Sequence, residues 1–323
     1  MPTGISIHIG LNELDERHYQ GRFALAGCLG DAHAMRDLAA AAGFEPHLIT
    51  GPAATAAAVL HAIDAARARV GGDGIVLITY SGHGGRVRDL GDEPGDGDKG
   101  DGWDETWCLY DRELVDDELY ACWGGFAPGA RVLVVSDSCH SGDMIRDDER
   151  TRAAPVPQTA SLWGTRALDE TAEALRPLDA GSAAPAAAAA PAFDTAAAAA
   201  RRQVTRGSLP RVRALSNEAS RRVYARNRTQ YDDIQRQVHA TPRRPVRADV
   251  LLLAAAQDNE AAADGDSNGA FTAALLEVWN GGAFEGDYVA LHAELFRRLV
   301  PGQHPILMAL RPPAFARERA FSI

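Results

Sequence analysis

Lysine is almost missing from this chain: Lys99 is the only one in 323 residues, and every other basic side chain is arginine. With the heavy use of alanine, this reads as a genomic base-composition bias rather than a functional choice. Cysteine is also scarce. Cys28, Cys108, Cys122 and Cys139 form no C-x-x-C pair and no dense framework, as expected in a reducing cytosol. There is no basic, apolar leader at the N-terminus, and no apolar run reaches the roughly 18 residues that a membrane helix needs. A net charge of −11 and a pI near 5.4 disfavour membrane surfaces and nonspecific nucleic-acid binding. The expectation is a cytoplasmic protein. No G-x-S-x-G elbow occurs, which argues against a serine hydrolase of the α/β type. A cysteine phosphatase would need arginine six residues after its nucleophile, where this chain has Ile145.

At 46% hydrophobic, the chain can bury one large α/β core or two small ones. The stretch around which the rest is organised is A-R-V-L-V-V-S-D-S-C-H-S-G (130–142). Its valine-rich run reads as a buried parallel strand, and the abrupt change to small and polar residues sets Asp137, Cys139 and His140 at the strand's carboxyl end. Open α/β sheets bind their ligands there. Upstream, G-I-V-L-I-T-Y-S (74–81) repeats the pattern and empties into Gly82-His83-Gly84-Gly85. If the two strands are neighbours, His83 and Cys139 face one crevice as base and nucleophile. A free thiol is only a few per cent thiolate near neutral pH, so an imidazole that takes its proton and later protonates a leaving amine is what acyl transfer requires. Glycines beside each residue let backbone N–H groups approach an oxyanion, with Gly84 and Cys139 as the expected donors.

Around these runs, the order strand (5–9), helix (29–42), strand (46–49), helix (55–70), strand (74–81) predicts an α/β fold with a doubly wound, mostly parallel sheet. Asp31 falls in the first turn of its helix, where a carboxylate suits the dipole. Residues 89–118 form an acidic loop with thirteen carboxylates against Lys99 and Arg112. It lacks a full EF-hand pattern, so it reads either as a solvated loop or as a site for a hard cation such as Ca2+. From about residue 148 the composition shifts. Residues 153–200 are rich in alanine and proline and read as a linker, and 201–247 carry thirteen arginines against Glu218, Asp232 and Asp233. Ser216 can cap a helix there with Tyr224, Tyr231, Ile234 and Val238 on one face. Three readings of the basic segment stand: a solvated linker, a surface for an acidic partner or nucleic acid, or arginines offered to the chain's own active site. After it, D-V-L-L-L-A-A-A (249–256) reads as a further strand, and Asp258 in the loop that follows is a candidate contact to a basic substrate residue.

Y-S-G-H-G-G (80–85) and D-S-C-H-S-G (137–142) resemble the histidine and cysteine motifs of caspase-like cysteine peptidases, the metacaspases above all. A-G-C-L-G-D-A (26–32), the acidic segment around Asp104 that ends in D-D-E-L (116–119), the G-x-F-T helix start at Gly269 and the Q-x-P turn at Gln303 are similar to further family segments. The resemblance covers about residues 4–148 and 249–315. It implies that Asp31 and Asp137 line the pocket for the residue before the scissile bond, selecting arginine or lysine. It also implies Ca2+ on Asp104, Asp116 and Asp117, with Asp147 (or Asp143) as the fourth ligand. The division expected is a large-subunit part (1–148), a linker or insertion that processing could cut (149–248), and a small-subunit part completing the same domain (249–323).

The function expected is a cysteine endopeptidase cutting protein or peptide substrates after Arg or Lys, tuned by calcium and regulated by linker processing, an activating protease or another partner. Two alternatives are a silent caspase-like scaffold and a partner-activated protease in a bacterial defence or cell-death cascade.

Overall fold

The computed structural model describes residues 3–90, 102–139, 154–155, 211–242, 244–256, 262–299, 303–310 and 314–323, with 154–155 as backbone only. His140, Asp143, Asp147, Asp258 and residues 156–210 lie outside the described residues, as does most of the acidic loop before Gly102. Among the described residues, no helix is long and apolar enough to cross a membrane.

The chain opens with β1 (Gly4–Gly10), a four-residue helix α1 (Glu16–Tyr19), α2 (Cys28–Ala41), β2 (Glu45–Thr50), α3 (Ala56–Arg69) and β3 (Ile75–Ser81). A small antiparallel sheet follows, made of β4 (Gly84–Arg88), β5 (Trp103–Cys108) and β6 (Glu113–Val115), and leads into α4 (Asp116–Trp123) and β7 (Arg131–Asp137). Then come the two-residue β8 (Ala154–Pro155), a long helix α5 (Asn217–Ala240), β9 (Asp249–Ala254), α6 (Ala270–Trp279), α7 (Tyr288–Arg298) and β10 (Ile306–Ala309).

The main sheet runs β2-β1-β3-β7-β9-β10-β8. The pairs from β2 to β9 are parallel, and β10 pairs antiparallel with β9 and β8. The strands expected at 5–9, 74–81 and 249–256 are present with boundaries a residue or two different. They were legible because strands covered on both faces are continuous apolar runs: β3 and β1 are buried at every position. Two apolar clusters cover the sheet, one against α3, α4 and the small sheet, the other against α2, α6 and α7. The doubly wound, mostly parallel arrangement is therefore the observed fold.

The basic segment is more than a linker. Residues 211–242 pack into the molecule, with Ala219, Val223 and Tyr231 of α5 buried in the first cluster. Ser216 caps the helix through the Ala219 N–H, as its sequence suggests. Tyr224 and Tyr231 are buried on the expected face and Ile234 packs against the cluster, although Gln235 beside them is buried as well. Gln235 donates to the Arg88 carbonyl at 2.7 Å and accepts from the Leu90 N–H at 2.7 Å, which ties α5 to the end of β4. The Tyr231 hydroxyl accepts from the Glu113 N–H at 3.1 Å and lies 2.7 Å from His18 Nε2.

Candidate active site

In the β3–β7 register Ser81 lies opposite Asp137, so the residues two further along, His83 and Cys139, leave neighbouring strands at the same level. That is the juxtaposition expected from the two motifs. Both residues are buried, His83 at 5% exposure and Cys139 at 1%. His83 Nε2 is 3.3 Å from the Phe23 carbonyl and can only donate to it. The tautomer fixed in this way leaves Nδ1 as the basic nitrogen, and Nδ1 is buried with no hydrogen-bond partner. Burial pushes the imidazole down to about 4. Burial also pushes the Cys139 thiol up to about 11, against a hydrogen bond that its Sγ accepts from the Ala262 N–H at 2.9 Å. The pair is therefore neutral in this arrangement.

What covers it is the protein's own chain. Residues 211–215 run through the cleft, bridged at Val212 to Ala263 and at Ala214 to Gly84, with a bend at Arg213 between them. Arg211 O accepts from the Asp264 N–H at 2.9 Å, and the Arg213 N–H donates to Ala262 O at 3.1 Å. On the far side of Arg213, the Leu215 N–H donates to Gly84 O at 2.8 Å. Between these clamps, the Arg213 carbonyl oxygen accepts two hydrogen bonds, from the Gly84 N–H at 2.9 Å and the Cys139 N–H at 3.2 Å. The two donors expected for an oxyanion thus converge on one peptide carbonyl, that of the Arg213–Ala214 bond.

The Arg213 side chain is fully buried at 0% exposure. Its Nη2 meets Asp31 Oδ2 at 2.7 Å and Asp264 Oδ1 at 2.9 Å, its Nε meets Asp264 Oδ1 at 3.3 Å, and its Nη1 meets Asp137 Oδ2 at 3.0 Å. Nη1 also donates to Ser81 Oγ at 2.8 Å and to the Asp137 carbonyl at 3.1 Å. Asp31 and Asp137 are thus brought together as expected. A cation buried without partners would be prohibitively costly, and these carboxylates supply the compensation. Burial raises the Asp137 carboxyl to about 6, with Arg213 pulling it down and Asp31 pushing it up.

The acids are themselves held in place. Asp31 Oδ1 accepts from Asn268 Nδ2 at 2.9 Å and from the Gly269 N–H at 3.0 Å, and Asp31 Oδ2 from Ser81 Oγ at 2.7 Å. Asp137 Oδ2 accepts from the Thr272 hydroxyl at 2.7 Å and the Thr272 N–H at 3.1 Å. Gly269 forms one wall: a Cβ there would lie 2.6 Å from guanidinium atoms of Arg213.

Sequence reasoning missed Arg213 as the occupant and Asp264 as a third acid, naming Asp258 instead. Asp258 lies outside the described residues, so only Asp264 can be placed, at 7% exposure with both oxygens engaged. The available signal was A-A-A-D-G-D (261–266) just ahead of the Gly269 helix start: small residues suited to strand pairing, then an acid.

Three of the acidic candidates for calcium lie in the small sheet and at the start of the helix that follows it. Asp104 is buried on β5, Asp116 heads α4 and accepts from the Asp117 N–H at 2.9 Å, and Asp117 Oδ2 is 2.7 Å from His239 Nε2 on α5. Among the described residues, no three His, Cys, Asp or Glu side chains gather closely enough to hold a metal ion. Asp143 and Asp147, the candidates for the fourth ligand, lie outside the described residues, so the expected set is only partly placed.

Comparison with known proteins places the chain in a family. The profile of the caspase domain (peptidase C14) matches residues 14–314. Among curated proteins, metacaspase-1B of Aspergillus terreus is 42% identical over 75 residues, which is 22% of this chain and 18% of that protein. Metacaspase-1 of Kluyveromyces lactis is 26% identical over 205 residues, 62% of this chain and 39% of that one. The chain thus spans well under half the length of these relatives. A solved structure of a Geobacter sulfurreducens protein is 35% identical with a TM-score of 0.72, covering 100% of this chain and 99% of that one. With the profile spanning most of its length and metacaspases among its relatives, the chain belongs to the caspase-domain family of cysteine peptidases, on its metacaspase-like side.

Proposed function

We propose that this protein is a cysteine endopeptidase that cuts after arginine, and that its first substrate is its own Arg213–Ala214 bond. One observation carries the reading: the Arg213 carbonyl oxygen sits between the Gly84 and Cys139 N–H groups while the Arg213 guanidinium sits among buried carboxylates. A scissile bond needs its carbonyl in an oxyanion site and its specificity side chain in a pocket, and here one residue satisfies both.

The chemistry follows from the positions. His83 Nδ1 takes the Cys139 proton as Sγ attacks the Arg213 carbonyl carbon. The negative charge passes to the oxygen held by the two N–H groups. His83 then protonates the Ala214 nitrogen, the C–N bond breaks, and a Cys139 thioester of Arg213 remains. Water, deprotonated by His83, hydrolyses it to a free Arg213 carboxylate. Until the bond breaks, the segment denies the cleft to other substrates, so the uncut chain is latent. Once vacated, the same pocket takes a basic residue from a peptide or protein supplied in trans.

The test is to hold the purified chain at neutral pH and sequence its fragments. A new N-terminus reading Ala214-Leu215-Ser216, absent from Cys139→Ala, is the expected result. A chain that stays intact, or a cut at that bond that survives Cys139→Ala, would overturn the reading.

A further inference from the structure

We infer that Asp264 makes this pocket a receptor for a guanidinium rather than for any cation, so that the enzyme discriminates arginine from lysine. The inference rests on the reading of Arg213 as the bound substrate residue and adds to it the basis of the choice between the two basic side chains.

A guanidinium has five N–H donors in a fixed fork, whereas an ammonium is a compact charge with three. In this pocket each nitrogen of the fork has its acceptor. Nη1 is met by Asp137 and Ser81, Nη2 by Asp31 and Asp264, and Nε by Asp264 alone. Asp31 and Asp137 would serve a lysine, because both face the far end of the side chain. Asp264 differs from them. It reaches back to Nε, a donor that lysine lacks, and through the same Oδ1 engages Nη2 from the side.

Asp264 is held to this task from both directions. Its Oδ2 accepts from the Ala26 N–H at 2.8 Å and its Oδ1 from the Gly27 N–H at 3.1 Å, which pins the carboxylate against the turn that leads into α2. Its own N–H pairs with the Arg211 carbonyl, so backbone recognition of the bound strand sets the depth at which the side chain meets Nε. Bound lysine would offer this third buried carboxylate no Nε–H, the donor that only arginine brings to it. Leaving a buried charged acceptor without its partner is costlier than the loss of an exposed one.

The experiment is a double-mutant cycle on the full chain: parent, Arg213→Lys, Asp264→Asn and the pair, followed by the rate of the 213–214 cut. Asparagine keeps an acceptor oxygen for the Ala26 and Gly27 turn while removing the charge. With Asp264 present, Arg213→Lys should slow the cut by roughly thirtyfold or more, the size expected for charged hydrogen bonds lost in a buried site. In the Asp264→Asn background, the lysine penalty should shrink to about fivefold or less. Because each penalty is a ratio within one background, a general loss of folded protein cancels from it. Equal lysine penalties in the two backgrounds would overturn the inference while leaving cleavage after arginine intact. A parent that is never cut would instead refute the proposed function. In that case the same four chains carrying Cys139→Ala, compared by denaturant midpoint, still read the preference: an Arg213→Lys penalty that does not depend on Asp264 overturns it.

Discussion

Arg213→Met tests the central geometry without any turnover. Made in a Cys139→Ala background, so that no cut intervenes, it removes the only cation found among Asp31, Asp137 and Asp264 within the described residues while keeping an unbranched side chain of similar length. Stripping one partner from a buried ion pair costs about 3–5 kcal/mol. Here three acids share that partner, at exposures of 1%, 2% and 7%, so the upper half of the range is expected near pH 7.5. The pH dependence has a definite sign. Burial already raises the Asp137 carboxyl to about 6 even with Arg213 opposing the shift. Removing the guanidinium raises it further, and a carboxyl raised in the fold is penalised above its folded value and relieved as it protonates. The destabilisation should therefore shrink as the pH falls from 7.5 towards 5. Urea unfolding followed by circular dichroism at several pH values reads both quantities. A variant within about 0.5 kcal/mol of its parent near pH 7.5, the ordinary range of a surface change, would refute the reading of Arg213 as a buried, charge-compensated occupant. So would a loss that does not vary with pH.

Two further outcomes are expected. Gly269→Ala places a methyl group 2.6 Å from the Arg213 guanidinium, so the chain should stop cutting itself at 213–214 while keeping its far-ultraviolet spectrum; normal cutting would mean that the side chain does not seat against Gly269. His8 is fully buried between Thr79 and Ser6, and burial, aided by the charge of Arg36, pushes it down to about 3. A lowered histidine favours folding above its ordinary value near 6.5 and loses that contribution as the pH falls towards 3, so His8→Gln should flatten the acid limb of the stability profile by up to about 1.4 kcal/mol per pH unit. Parallel profiles for the two proteins would count against that assignment.

The parts of the site legible in the sequence are those whose chemistry and position share one short stretch. His83 and Cys139 each follow a buried apolar run by two residues, and the parallel register does the rest. The family resemblance suggested Asp31 and Asp137, and the structure brings them together on one guanidinium. Arg213 was harder to find. Thirteen arginines lie between 201 and 247, and nothing local separates the one that threads the cleft from those that face water. The choice is made by backbone pairing with residues 262–264 and Gly84, both remote in sequence, and by the anchoring of α5 that follows. Asp264 was hidden for the same reason, since which acid of a loop turns inward depends on the strand lying beside it. The reading of the basic segment as a linker rested on its composition. That composition describes the solvent side of α5, while Val223, Tyr231 and Gln235 hold the other side in the core.

The sheet carries a consequence for what a cut at Arg213–Ala214 would look like. The two pieces would meet along the centre of the molecule, where β7 lies parallel to β9 over six residue pairs, and α5 would stay on the downstream piece with its buried tyrosines and glutamine in place. The product is a nicked protein and not a pair of subunits in equilibrium. Its elution volume and native mass should match those of the uncut chain, and only a denaturing gel should tell them apart. Of the two new ends, the amino end at Ala214 is moored by Leu215 and α5, whereas the carboxyl end at Arg213 is held by the pocket and by the short backbone pairing of Arg211 and Arg213 with Asp264 and Ala262. On the proposed reading, activation would be the release of one arginine and the few backbone bonds beside it.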